Sequence, residues 1–306
     1  MTSKGLLHNL SDLFNASLAT SLRGLPALEA PLAGCSRLLY RAGGISFVEI
    51  IRERLRRAAS KRAQEIGDVY RIVKLATGAR MVVDITGLMG DLYFNGAASY
   101  EPQTTRFIAT RLSPGATFVD VGANVGYFSM LAASRVGSEG RVYAFEPNKN
   151  LHGDFKRSVQ INGFENRVRL TEVALSSADA DEVDFFISLA EANTGLSTLT
   201  PAKGHLDTGS LSLTHKITVP SRTFESWMKE TGLSRIDMLK IDVEGAEEIV
   251  LDGMQGTLDG ARPSHIICET YLEGTVSECL RGHGYHASGL DTSPEGWGNI
   301  LYSLDE

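Results

Sequence analysis

The sequence predicts an α/β protein: a doubly wound, mostly parallel sheet with an antiparallel C-terminal edge, preceded by an N-terminal helical extension. Three observations carry that prediction. From Thr117 onward, strand-like apolar runs alternate with helical patterns, the arrangement that builds a parallel sheet covered on both faces. Thr117-Phe118-Val119-Asp120 suits a buried strand and turns through Gly122, Asn124 and Gly126 into a helix start at Tyr127. A second strand-like run, Arg141 to Glu146, ends in an acid 20 residues after Gly126. Strand, glycine-rich turn, helix and then a strand-terminal acid is a Rossmann-like layout. It sets a nucleotide-like ligand over the carboxyl ends of the strands, with the acid accepting from ribose hydroxyls.

Residues 1–67 read as a helical extension, 68–112 as a hairpin and helices leading into the core, and 113–306 as the ligand-binding domain. In the extension, Leu6, Leu7, Leu10, Leu13, Phe14, Leu18 and Leu22 recur at helical spacing, an amphipathic stripe that suits a cap or a homodimer contact. A second helix is expected from Ser46 to Gln64, its outer face carrying Arg52, Arg54, Arg56, Arg57, Lys61 and Arg62. That face reads as solvated or as a contact for an anionic partner. Val69–Leu75 and Arg80–Ile85 flank Thr77-Gly78 as a hairpin, 87–96 holds a short helix, and Tyr100-Glu101-Pro102 leads into a helix ending near Leu112.

In the core, helices are expected at about 151–162, 224–231, 246–258 and 276–281. Arg167–Leu175 reads as one strand, with Asp181–Ser188 and His215–Pro220 as two extra ones. Ile236–Ile241 ends at Asp242 and Ser264–Cys268 at Glu269, and 285–288 with 299–303 form a closing antiparallel pair. Between the extra strands, 190–214 is rich in Gly, Ser and Thr and reads as a binding loop or a plain surface loop. Ligands of such sheets bind beyond the strand ends, so Asp120, Glu146, Asp242 and Glu269 should gather at one rim.

The turn also bears on the ligand. A dinucleotide turn keeps small residues so that the backbone approaches a pyrophosphate; here the spacing is G-x-N-x-G with Asp120 at its mouth. A carboxylate there repels phosphate and suits an ammonium and a sulfonium, which points to S-adenosyl-L-methionine. Pro147 could lie flat on its adenine, backbone groups at Val173 and Ala174 could border it, and Glu101 could touch its methionine end.

Four segments, in this order, resemble the FkbM-type family of S-adenosylmethionine-dependent methyltransferases: Pro114-Gly115 with Thr117 to Gly126, Ala144-Phe145-Glu146-Pro147, Ile161-Asn162-Gly163, and Leu239 to Glu247. The resemblance runs from about Val82 to Glu269 and implies O-methylation of a hydroxyl on a small metabolite, such as a sugar or polyketide. On this reading Glu101, Asp120, Gly122, Asn124, Gly126, Glu146, Pro147, Ala174 and Asp242 form the cofactor site, and Asp242, Glu244 and Glu269 the catalytic one. Methyl transfer from a sulfonium is an in-line displacement that needs alignment above all, with a base to assist an alcohol. Lys240 reads as an ion-pair partner, and His215 and His265 as ordinary residues outside the site. No metal is assigned, because the acids show no ligand spacing in the sequence.

Competing readings keep the same fold. A cyclase or aminocarboxypropyl transferase would release methylthioadenosine, a cofactor-binding module would do no chemistry, and an NAD-dependent dehydrogenase is disfavoured by Asn124. The net charge of −7 argues against a general nucleic-acid partner, and the small-molecule acceptor is what the resemblance implies. Cys35, Cys268 and Cys279 show no metal or disulfide framework, and there is no leader-like segment or membrane-length apolar run, so a cytoplasmic location is expected.

Overall fold

A computed structural model describes residues 46–87, 89–188, 197–199 and 214–304. The leucine-striped first helix, Cys35 and most of the 190–214 loop lie outside these residues.

The chain opens with helix α1 (Ser46–Ile66) and the hairpin β1 (Tyr70–Lys74) and β2 (Arg80–Asp84). Short helix α2 (Gly90–Phe94) and helix α3 (Pro102–Arg111) follow. Pro102 starts α3 where its missing N–H costs nothing. The helix is capped from a distance: the Asp291 carboxylate accepts from the Gln103 and Thr104 amides at 3.1 and 2.7 Å.

The main sheet has seven strands. In chain order these are β3 (Thr117–Val121), β4 (Arg141–Phe145), β5 (Val168–Thr171), β9 (Met238–Ile241), β10 (His265–Tyr271), β11 (His286–Thr292) and β12 (Trp297–Ser303). Their spatial order is β11-β12-β10-β9-β3-β4-β5. The five strands from β10 to β5 run parallel, and β12 is antiparallel to both its neighbours. The chain winds outward from β3 through β4 to β5, then returns to β9 on the other side of β3. The switch point therefore falls between β3 and β9, where a crevice opens at the carboxyl ends.

Strand alternation sorts side chains to the two faces. Phe118, Met238, Ile267 and Leu301 face helix α4 (Tyr127–Val136), Phe155 of helix α5 (Lys149–Asn162) and the β1–β2 hairpin. Val121, Leu239, Ile241 and Cys268 face helices α6 (Phe224–Thr231), α7 (Glu247–Asp252) and α9 (Thr275–Gly282). Each large aliphatic or Phe side chain so buried contributes about 1.5–3 kcal/mol. Local signals set the helix ends. Asn148 and Thr223 cap α5 and α6 by accepting from the Asn150 and Ser226 amides, and left-handed Gly163 and Gly232 close them.

A second sheet, in the order β6-β8-β7, joins β6 (Ala174–Leu175), β7 (Ala180–Ser188) and β8 (Thr214–Arg222). The expected strand 167–175 is thus two: β5 stays in the main sheet, while β6 pairs with β8 in the other. Pro220 lies within β8, not at its end. It falls opposite the register shift between Ala180 and Val183, where the missing N–H is harmless. The helix expected over 246–258 is also two pieces, α7 and α8 (Gln255–Asp259). The chain bends at Gly253 because it passes against Ser176: a Cβ on Gly253 would stand 2.1 Å from the Ser176 carbonyl oxygen. Strand β10 runs beyond Glu269 to Tyr271, because Glu269, Thr270 and Tyr271 find ladder partners in Asn299, Gly298 and Trp297.

Candidate active site

Two clefts meet at the crevice, separated by the contact of Gly122 with the backbone of Asp242. Gly122 has φ +81, and a Cβ there would lie 1.8 Å from the Asp242 carbonyl oxygen, so only glycine lets the turn cross the switch point. Asn124 and Gly126 are also left-handed, at φ +53 and +90. The positive-φ residues other than glycine are Asn124, Glu101 (φ +39) and Glu244 (φ +56) among the described residues; Asn124 and Glu244 line these clefts, and Glu101 follows Tyr100, which lines the second. Backbone strain gathered at one place marks a functional site.

The first cleft, of about 520 Å³, is walled by Phe145, Pro147, Leu151, Val173, Ala174 and Phe185, with Glu146 on its floor. Glu146 is 5% exposed, and both its oxygens accept backbone amides, Oε2 from Asn124 at 2.8 Å and Oε1 from Asn148 at 2.7 Å. The carboxylate is thereby fixed to the turn, with lone pairs left for two vicinal hydroxyls. Burial nevertheless pushes its pKa up to about 7, more than those amides lower it. His152 packs beneath, a ring nitrogen 2.7 Å from the Glu146 carbonyl oxygen.

The second cleft, of about 480 Å³, is lined by Met89, Tyr100, Tyr127, Phe128, Lys240, Asp242 and Glu244. Lys240 is 1% exposed, pairs with Asp242 Oδ2 at 2.6 Å, and lies 4.6 Å from the centre of the Phe128 ring. Burial alone would lower its pKa, but Asp242, Glu101 and Asp120 together outweigh that and hold it charged. Three acids near it are raised too, which pushes them toward their neutral forms. Burial, then the charge of Asp242, drives Glu244 and Glu269 well above the ordinary carboxylate range. Glu101 is raised chiefly by burial, against the pull of Lys240. Its Oε2 accepts from Asn299 Nδ2 at 2.8 Å. Glu247 faces the loop instead, its Oε1 accepting from the amides of Val243 and Gly245.

The sequence-derived site residues fall as follows. Gly122, Asn124, Glu146, Pro147, Ala174, Asp242 and Glu244 line the clefts. Gly126 sits behind the turn against the Phe155 ring. Asp120 lies one layer below the turn rather than at its mouth. Alternation turns it to the Lys240 face, where it is 2% exposed and accepts from Ser129 Oγ at 2.6 Å. Burial lifts its pKa to about 6. Glu269 stands beside Asp242, with a carboxylate oxygen of each within 4.8 Å of the other, and Glu101 arrives from the loop before α3. His265 packs edge-on against Phe107, away from both clefts. Sequence reasoning missed Asn299. Its signal was present: one amide inside the apolar strand W-G-N-I-L-Y-S.

An open parallel sheet with a left-handed turn and a strand-end acid at its switch point defines the Rossmann-like class. Within that class, the model of the "Methyltransferase FkbM domain" matches residues 120–285, more than half the chain, and the chain belongs to that family. It is similar to methyltransferase sdnD of Sordaria araneosa, 31% identical over 158 residues, covering 44% of this chain and 59% of that one. It is also similar to the 2-O-methyltransferase NoeI of Sinorhizobium fredii, 28% identical, covering 49% of this chain and 61% of that one. The AMB antimetabolite synthetase AmbE of Pseudomonas aeruginosa matches at 27% identity over 58% of this chain and 10% of its own length. The chain thus spans about three-fifths of the first two relatives and a tenth of the third. A solved methyltransferase FkbM from Methylobacillus flagellatus covers 89% of this chain and 58% of its own, with a TM-score of 0.44 and 14% identity. No described helix is long and apolar enough to cross a membrane.

Proposed function

We propose that the chain transfers a methyl group from S-adenosylmethionine to a hydroxyl of a small metabolite. The observation that carries this is Glu146: a buried carboxylate at the end of β4, tied by both oxygens to the glycine turn and open to the first cleft. That donor set fits a ribose, and Pro147, Leu151 and Val173 offer apolar walls for a purine. Gly122 lets the turn lie close to the ligand without a phosphate partner, and the surplus of carboxylates in the second cleft favours positive charge. When bound, the cofactor supplies an electrophilic methyl on a good leaving group.

Everything else falls to the protein. The Gly122–Asp242 contact sets the two clefts edge to edge, so that an acceptor in the second faces a ligand in the first. Lys240 holds Asp242 in place, and a rim carboxylate, Glu101, Glu244 or Glu269, receives the acceptor's proton as its oxygen reacts. Burial sets the pKa of Glu101 near 7, where a base works best at neutral pH. An oxygen acceptor is supported by NoeI's name, at 28% identity.

The test is calorimetric titration of the protein with S-adenosylmethionine and, separately, with NAD. Binding of the first alone is expected; binding of NAD alone, or of neither, overturns the reading. Release of S-adenosylhomocysteine in an acceptor screen supports methyl transfer, whereas methylthioadenosine would reassign the chain to cyclase or aminocarboxypropyl chemistry.

A further inference from the structure

We infer that Asp242, Glu244 and Glu269 form a site for a hard divalent cation, Mg²⁺ or Mn²⁺, on the acceptor side of the crevice. These residues come from the end of β9, the loop after it and β10, and each brings a carboxylate oxygen within 4.8 Å of the others. An ion about 2.0–2.6 Å from each oxygen spans that separation. All three donors are carboxylates, the choice of a hard cation rather than a thiolate- or imidazole-seeking metal. Lys240 occupies one oxygen of Asp242 and leaves the other.

A second observation points to a ligand. Asn299 is Glu269's ladder partner on β12, so both side chains stand side by side on one face of the sheet. Asn299 is 2% exposed. Its Nδ2 is used by Glu101, while its Oδ1 is buried and has no hydrogen-bond partner. Leaving a buried carbonyl oxygen unmatched costs about 1–3 kcal/mol. It stands beside Glu101 and Glu269, so a cation held by the acidic cluster, or water bound to it, can serve as its partner. The backbone supports the same geometry: Glu244 is held at φ +56, with Gly245 left-handed after it and Glu247 bonded to the loop amides. A cation there would lower the pKa of a coordinated acceptor hydroxyl. The site does not depend on the methyl-transfer reading, since the ion is bound by protein groups alone.

The full chain, stripped with EDTA, is titrated with Mn²⁺ by electron paramagnetic resonance and calorimetry, with Mg²⁺ as competitor and no cofactor present. One saturable site is expected, at which Mg²⁺ competes with Mn²⁺. Glu269→Gln and Glu244→Gln should each weaken it at least tenfold and Asn299→Ala severalfold, while Glu146→Gln leaves it unchanged. Circular dichroism and thermal melting of the same samples report on their fold, independently of the cofactor. No saturable Mn²⁺ site in the parent, or undiminished affinity in either Glu→Gln variant that remains folded, overturns the assignment. Binding of methylammonium in place of Mn²⁺ overturns it in favour of a site for an acceptor amine.

Discussion

The two clefts differ in how each treats charge. The first contains one carboxylate, Glu146, whose oxygens are bonded to backbone amides and whose surroundings are apolar. The second gathers Asp242, Glu101, Glu244 and Glu269 around one buried cation, Lys240, with Asp120 behind. Groups in the first are fixed by local backbone and need no counter-ion. Those in the second come from distant segments and depend on one another's charge. One edge of a sheet thus carries a backbone-anchored carboxylate and a mutually dependent charge cluster side by side, divided by a single glycine contact.

The harshest way to break the division is Gly122→Val. The new side chain would meet the Asp242 carbonyl in a left-handed conformation that costs a β-branched residue dearly, so both clefts should fail together. A loss of about 3 kcal/mol or more in urea unfolding and no detectable cofactor binding are expected. Cofactor binding unchanged by the substitution would show that the clefts are not joined there.

Asp242→Asn should break the second cleft more than the first. It strips the partner from a lysine that is 1% exposed, a loss of roughly 3 kcal/mol by the usual cost of orphaning a buried charge. Turnover should fall further than cofactor affinity. Equal losses in both would place Asp242 in the first cleft alone.

Glu146→Gln is the converse change. Loss of a charged acceptor should weaken cofactor binding about 10- to 100-fold. Its pH dependence sharpens the point. A carboxylate with a pKa of about 7 accepts two hydroxyl donors fully only when ionised, so affinity should rise with pH up to about 7 and then level. In the Gln variant that slope should vanish. The stability contribution has the opposite sign. Burial raises the folded pKa of Glu146 to about 7 and of Asp120 to about 6, so what they contribute is full below their unfolded values and is lost as pH rises through 6–7. Thermal melts of the ligand-free protein from pH 5 to 8 should show the loss, reduced in Glu146→Gln.

The smallest expected effect is Asp291→Ala. It removes the carboxylate that caps α3 beside Glu101 and should cost about 1 kcal/mol in urea unfolding. Cofactor affinity should not change, because only the second cleft borders that helix start.

What the sequence by itself determined is what the chain encodes over short distances. Strand, left-handed turn and helix from Thr117 to Val136 follow from neighbouring residues, and so do the ends of α5 and α6, set by Asn148, Thr223, Gly163 and Gly232. Glu146 was legible because its partners, the Asn124 and Asn148 amides, belong to the turn and the strand end of one βαβ unit. Tertiary structure decided the rest. The break at Gly253 exists because Ser176, 77 positions earlier, passes against it, a contact no helical periodicity reports. Asp120 sits below the turn because its ladder partner Lys240 on β9 and Ser129 of helix α4 take its carboxylate on that face. The cluster of Asp242, Glu244 and Glu269 shows no spacing in the sequence because β9 and β10 bring it together in space, and Asn299 joins it through the antiparallel register of β12. Local propensity writes the elements; long-range register chooses which charges meet, and that choice depends on burial and on partners far away in the chain.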